Sequence, residues 1–198
     1  AVAKGVTGRR SNWRQCLQAF RPLQVYLSGR GELLTITQAE ELEAWPPLQG
    51  DKLYCGLYLN ELIVRLLPRQ DPQPELFREY RNCLVSFDDC PHLGVPLRYM
   101  EMSLLTALGF GLQLTHESVT GHAIEAENHY RYDVEAGPTL SSARNAFAGS
   151  SLIALAERNL SNLRHRTDAR HLLQQALAPH LGSRPLMSKQ LLKKRKNG

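Results

Sequence analysis

The sequence brings together few side chains that could hold a metal. Cys83, Cys90, His92 and His116 are zinc-type ligands within one stretch of the chain. However, Cys83 falls on the apolar stripe of a helical pattern, and the close Cys-x-x-Cys spacing of most structural zinc sites is missing. We therefore expect no metal site and four free, mostly buried thiols.

Acidic residues are also weak candidates for catalysis. Glu40, Glu41 and Glu43 cluster, but on a short predicted helix they are typical of a solvated face. Asn60 and Glu61 interrupt an apolar helix, and we expect them to contact a neighbouring β domain. The sequence contains no phosphate-binding glycine loop, nucleophile elbow or His-Glu-x-x-His motif. It therefore predicts no catalytic residue and no cofactor.

Positive charge is concentrated at the two ends of the chain. Residues 1–30 and 184–198 contain no acid, and all 19 acidic residues lie between positions 31 and 183. Clustered cations bind polyanions because they release condensed counterions. Trp13 and Phe20 could offer stacking faces; a place in the barrel core is the alternative for both, and we favour it for Phe20. The predicted nucleic-acid contacts are Lys4, Arg9, Arg10, Arg14, Arg30, Lys193 and Lys194.

Composition indicates a globular chain. The 198 residues are 42% hydrophobic, enough for a sizeable core, and no apolar run approaches the roughly 18 residues of a membrane-spanning helix. No signal peptide is evident, which favours the cytoplasm. The chain begins at Ala1 in what looks like the end of a strand, so we expect a missing N-terminal segment.

The pattern of side chains predicts a β segment followed by helices. Residues 23–36 alternate around a glycine-rich turn as in a hairpin, and Thr37 to Glu40 fits a helix capping box. Helices are then predicted after Asp51 and Asp71 and from Pro96, and over 151–160 and 166–181, with Ser188 capping a last basic helix. Residues 112–148 are expected to form an irregular insert, with one hairpin at most.

Four segments in order resemble the RecO family. Residues 2–23 resemble the end of the third strand of the RecO OB-fold and its entry into the fourth. Residues 54–62 contain the family's Tyr-x-x-Glu-Leu pattern, and residues 98–110 resemble its Arg-x-x-Glu-x-x-Leu-Leu-x-x-Leu-Gly-Tyr helix. Residues 181–189 resemble its Leu-Gly-x-Lys/Arg-Pro-Leu-x-Ser-Arg motif. The matches span nearly the whole chain and look closest to proteobacterial RecO.

The resemblance implies an α+β fold. A partial N-terminal OB-fold β-barrel, residues 1–37, precedes an all-helical domain, residues 38–198, and the first barrel strands are missing. Some RecO proteins hold zinc in the segment that corresponds to 112–137, which has no cysteine here, so that site should be absent.

The resemblance also implies a role without catalysis. RecO binds single- and double-stranded DNA, anneals strands, pairs with RecR, and binds the acidic tail of single-stranded DNA-binding protein (SSB) to help RecA load, in the cytoplasm at the nucleoid. The SSB tail would bind a groove formed by Leu97, Arg98, Met102 and Leu105. From the residues alone, a metal-dependent nucleic-acid-processing enzyme and a helical scaffold with basic tails remain alternatives.

Overall fold

The structure, a computed structural model, describes residues 1–3, 13–31, 33–43 and 45–196. The chain divides into two compact units, residues 1–53 and 54–198. Helices and small antiparallel sheets are both present, which confirms the predicted α+β class. No helix in the described ranges is long and apolar enough to cross a membrane.

The first unit is built on the predicted hairpin. A one-turn helix, α1 (Trp13–Cys16), precedes strands β1 (Leu23–Ser28) and β2 (Thr35–Glu41), which pair antiparallel with a shift of register after Tyr26. Val2 adds a parallel bridge to Thr35. The described strands therefore form part of a barrel and do not close one.

The prediction that a helix starts at Thr37 is wrong. This segment continues strand β2, in which Ala39 pairs with Val25 and Glu40 with Gln24. The Thr37 hydroxyl donates to the carbonyl of Tyr26 at 3.2 Å and does not cap a helix. A capping box is a local signal, and here the pairing with β1 outweighs it.

Three helices whose ends follow the predicted breakers come next, and the second unit begins within the first of them. They are α2 (Gly50–Leu66), α3 (Pro74–Ser86) and α4 (Gly94–Ala107). Pro68 follows α2, and Gly109 follows α4 with a φ of 84° that suits glycine. Asp51 lies within the first turn of α2, where its negative charge favours the helix N-terminus.

The insert contains more β structure than predicted. Strands β3 (His129–Asp133), β4 (Gly137–Leu140) and β5 (Phe147–Ala148) form an antiparallel sheet in the order β4-β3-β5. Tyr130 and Tyr132 alternate inward from β3 and are buried. The sequence predicted one hairpin at most; the third strand is only two residues long, too short to show a pattern.

Three further helices complete the unit, α5 (Gly149–Ala156), α6 (Leu163–Leu181) and α7 (Met187–Lys196). Asn162 caps α6 by accepting from the His165 N–H at 2.8 Å. Apolar side chains from α2, α4, α5 and α6 form the core, in which eight leucines are at most 1% exposed: Leu59, Leu62, Leu104, Leu105, Leu152, Leu155, Leu172 and Leu173.

Candidate functional site

The structure describes some of the predicted DNA-binding residues fully, others by their backbone alone, and others not at all. Lys4, Arg9 and Arg10 lie outside the described residues. For Arg14, Lys193 and Lys194 the structure describes the helical backbone alone, in α1 and α7 respectively. Arg30 is exposed in the turn between β1 and β2, so its guanidinium is accessible to a polyanion. The placement of the full set on one DNA path stays a prediction.

The aromatic candidates of the first unit are intermediate in exposure. Trp13 and Phe20 are both half-buried. Phe20 has a φ of 68°, a left-handed backbone that a bulky residue rarely adopts. Nearby, Arg21 forms an ion pair with Glu41 at 3.0 Å, so this cation is engaged within the unit.

Arg98 lies in a buried polar cluster and not on an open surface. It is 8% exposed, and its guanidinium donates to the carboxylate of Glu101, which is 1% exposed. The Tyr58 hydroxyl donates to the same Glu101 oxygen at 2.6 Å. Burial, together with the Glu101 charge, raises the pKa of Tyr58 well above its usual range. The cluster links α2 to α4.

The other predicted SSB-tail residues differ in accessibility. Leu97 is 9% exposed and Leu105 is fully buried, so both belong to the core beneath α4. Met102 is half-buried and lines an open groove. The structure therefore separates the predicted set: of its four residues, Met102 alone reaches an accessible surface.

That groove runs between α3 and α4 and has a volume of about 390 Å³. Its lining includes the apolar side chains of Leu76, Met102 and Ala107 and the cation Arg158. Glu75 and Glu79 also line it. The groove thus combines apolar side chains with a cation, and sequence reasoning did not identify Arg158.

Arg158 is held at the groove by several contacts. Its guanidinium donates to Glu79 at 2.9 Å and to the Ser103 hydroxyl at 3.0 Å, and it lies 5.7 Å from the centroid of the Tyr99 ring. The Tyr99 hydroxyl donates to its carbonyl at 2.6 Å. These contacts fix a backbone with a φ of 54°, in the left-handed region. No local sequence signal predicts this arrangement.

Glu61 binds the N-terminus of α7. Its carboxylate accepts from the N–H groups of Met187 and Ser188, both at 2.9 Å, and from the Ser188 hydroxyl at 2.7 Å. Two expectations are corrected here. Ser188 lies inside α7 and is not its cap, and the contact of Glu61 is with α7 in its own unit, since unpaired helix N–H groups attract a carboxylate.

Arg65, one turn along α2, completes this contact. It donates to the carbonyls of Arg184 and Pro185 at 2.8 and 3.0 Å and lies 3.3 Å from Glu61. Burial alone would raise the pKa of Glu61, but the hydrogen bonds from Ser188 and Met187 and the charge of Arg65 hold it below its usual range. The sequence signal was a polar pair inside an apolar helix.

The candidate zinc ligands do not converge. Burial, with nearby charges, raises the pKa of Cys83 to about 12, so this thiol stays protonated. Its sulfur lies 3.4 Å from the carbonyl oxygen of Pro96. Across the described ranges, no group of three or more His, Cys, Asp or Glu residues is arranged to hold a metal ion.

The chain is similar to a known protein family over most of its length. Residues 47–190 match the family model described as "Recombination protein O C terminal". DNA repair protein RecO of Methylococcus capsulatus is 42% identical over 193 residues, covering 97% of this chain and 80% of that protein.

RecO of Vibrio parahaemolyticus is 36% identical over 192 residues, or 96% of this chain and 79% of that protein. RecO of Yersinia pestis is 39% identical over 197 residues, with 97% and 81% covered. These matches confirm the resemblance stated from the sequence. The chain belongs to the RecO family of DNA repair proteins.

Proposed function

We propose that this protein is a non-catalytic recombination mediator that binds single-stranded DNA and promotes its annealing. One observation carries the proposal: the acids are confined to residues 31–183, while both flanking segments carry cations alone. Clustered cations of this kind favour a phosphate backbone because they release its condensed counterions. Membership of a DNA repair family agrees with such a ligand.

The N-terminal cations are the first place to test this role. Replacing Arg9, Arg10 and Arg14 by alanine should weaken binding to single-stranded DNA. It should also flatten the plot of log affinity against log salt by about two units, since each lost contact to a single strand removes about 0.7. Fluorescence anisotropy across a salt series measures both quantities.

A matched variant separates specific contacts from total charge. Arg69, Arg131 and Arg144 are exposed arginines within the acidic body, and their replacement removes the same charge. That control should keep the wild-type salt dependence. Equal slopes in the wild type and the N-terminal variant would contradict the proposal.

We further propose that the groove between α3 and α4 binds the acidic tail of SSB. Met102 and Leu76 would contact the apolar end of the peptide, and Arg158 would pair with its terminal carboxylate. A guanidinium suits a carboxylate because its planar fork donates two hydrogen bonds. The peptide would replace Glu79 as the partner of Arg158, while Leu97, Arg98 and Leu105 lie on the buried face of α4.

The remaining proposed partners are supported only by membership of the RecO family. We propose that the protein pairs with RecR, also binds duplex DNA, and helps RecA load onto SSB-coated strands in the cytoplasm, at the nucleoid. No residue of this chain is assigned to RecR. Coprecipitation of RecR with the purified chain, with and without DNA, tests that pairing.

A further inference from the structure

The basic helix α7 is bound at its first turn by side chains of another helix. Glu61 accepts three hydrogen bonds from Met187 and Ser188. Arg65 donates two to the carbonyls of Arg184 and Pro185. Five hydrogen bonds from two residues of α2 therefore fix the chain on both sides of the point where α7 begins. We call this pair the α2 anchor.

The residues around this point are packed as well. Leu186 and Ser188 are 7% and 5% exposed. The Lys189 ammonium lies 5.4 Å from the centroid of the Tyr58 ring, within the range of a cation–π contact. The start of α7 is thus partly buried, and it is attached to α2 by hydrogen bonds and by the contact of Lys189 with Tyr58.

The sequence of α7 gives little reason for it to form a stable helix unaided. It has ten residues, no acidic residue in its first turn, and four consecutive cations at 193–196. Isolated helices of this length are marginal in water, and like charges one turn apart repel. The acceptors that its first N–H groups need come from Glu61, which lies 126 positions away from Met187 along the chain.

We propose that Glu61 is a positioning residue for DNA binding: it keeps α7 folded and fixed on α2, so that the cations of α7 meet the phosphate backbone already ordered. This rests on the proposed function, because it takes α7 as a DNA-binding element. A prearranged set of charges loses less conformational entropy on binding than a mobile tail does. Arg65 acts with Glu61 as the second half of the anchor.

Four proteins test the proposal: the full chain, Glu61→Ala, a deletion of residues 192–198, and the two changes combined. Affinity for a single-stranded oligonucleotide is measured at low salt, after circular dichroism shows each protein folded. We expect Glu61→Ala to weaken binding by about threefold to tenfold, close to the effect of the deletion. Adding Glu61→Ala to the deletion should then change little.

That pattern distinguishes positioning from general damage to the fold. If Glu61 acted by stabilising the whole unit, its effect would persist after the cations of α7 were removed. Additive losses of DNA affinity in the combined variant would therefore overturn the proposal. Full DNA affinity in Glu61→Ala, when the deletion binds DNA more weakly, would overturn it as well. Glu61→Gln keeps the length of the side chain and one carbonyl acceptor, so it should recover part of the DNA affinity that Glu61→Ala loses.

Amide hydrogen exchange measures directly whether the α2 anchor protects the start of α7. Glu79→Ala is the matched control, because Glu79 also pairs with an arginine of this unit. Exchange at the Met187 and Ser188 amides should accelerate in Glu61→Ala and not in Glu79→Ala. Unchanged protection would show that Glu61 does not hold α7. Full DNA affinity after deletion of residues 192–198 would overturn the DNA-binding role of α7. Unchanged DNA binding in the N-terminal arginine variant would instead contradict the proposed function itself.

Discussion

At the scale of residues, two arginines of the second unit have contrasting roles. Arg98 is buried and paired with Glu101, while Arg158, 46% exposed at its side chain, borders a groove. A buried guanidinium with a carboxylate partner is costly to disturb, because removing either charge leaves the other uncompensated. Arg158 is therefore the better candidate to exchange its partner for a ligand.

This difference predicts how an SSB-tail peptide binds. Arg158→Ala should weaken binding of the peptide by about tenfold or more, as expected when a charge-assisted hydrogen bond worth about 1.5–3 kcal/mol is lost. Arg78→Ala is the control, since Arg78 is an exposed cation on α3 that pairs with Glu75. Isothermal titration calorimetry with the wild-type and variant chains measures the difference.

A different outcome would place the peptide site at Arg98. Arg98→Ala should lower the unfolding midpoint, since it leaves Glu101 buried without its cation. If Arg98→Ala abolished peptide binding with an unchanged midpoint, and Arg158→Ala bound normally, the peptide site would lie at Arg98 and not at the groove.

At the scale of elements, the junction between β5 and α5 depends on one glycine. Gly149 is buried, donates its N–H to the carbonyl of Asn128 at 2.8 Å, and begins α5 directly after the strand. A Cβ at this position would lie 1.9 Å from the carbonyl oxygen of Glu125. The insert and α5 can approach this closely only because the residue has no side chain.

Gly149→Ala should therefore destabilise the protein by about 1–3 kcal/mol or more, the usual cost of overpacking. Gly94→Ala is the control. Gly94 begins α4, and a Cβ there would meet no atom within 4 Å; alanine is the better helix former by about 0.5–1 kcal/mol. Urea unfolding of both variants gives the comparison, and equal stabilities would contradict the close approach.

At the scale of the whole molecule, the two units differ in how much they bury. Among the described residues of 1–53, none is buried, whereas the buried residues all lie between Gly56 and Ser188. Burial of apolar surface is the main favourable contribution to folding, at about 25 cal/mol per Å². Most of the folding free energy therefore belongs to the second unit.

A fragment of residues 47–198 should consequently fold alone. It retains all of α2 and the described core. We expect a cooperative thermal transition by circular dichroism within about 4 °C of the full chain, the shift that about 1 kcal/mol produces in domains of roughly 150–250 residues. A fragment without a cooperative transition would show that residues 1–46 contribute to the core.

The sequence by itself determined the α+β class, the hairpin of the first unit and the helical body of the second. Proline, glycine and the 3.6-residue repeat of leucines act locally, so α2, α3, α4 and α6 could be predicted near their observed bounds. Motifs in order along the chain also identified the family, because they depend on residue types and not on contacts.

Only the tertiary structure decided which polar residues are accessible and what they bind. Thr37 lies in a strand because β1 pairs with its neighbours. Arg98 and its partner Glu101 are buried, and Tyr58 of α2, 43 positions before Glu101, donates to the Glu101 carboxylate. Glu61 caps a helix 126 positions away. Each depends on partners distant in sequence, and local propensity carries no information about which distant groups will meet.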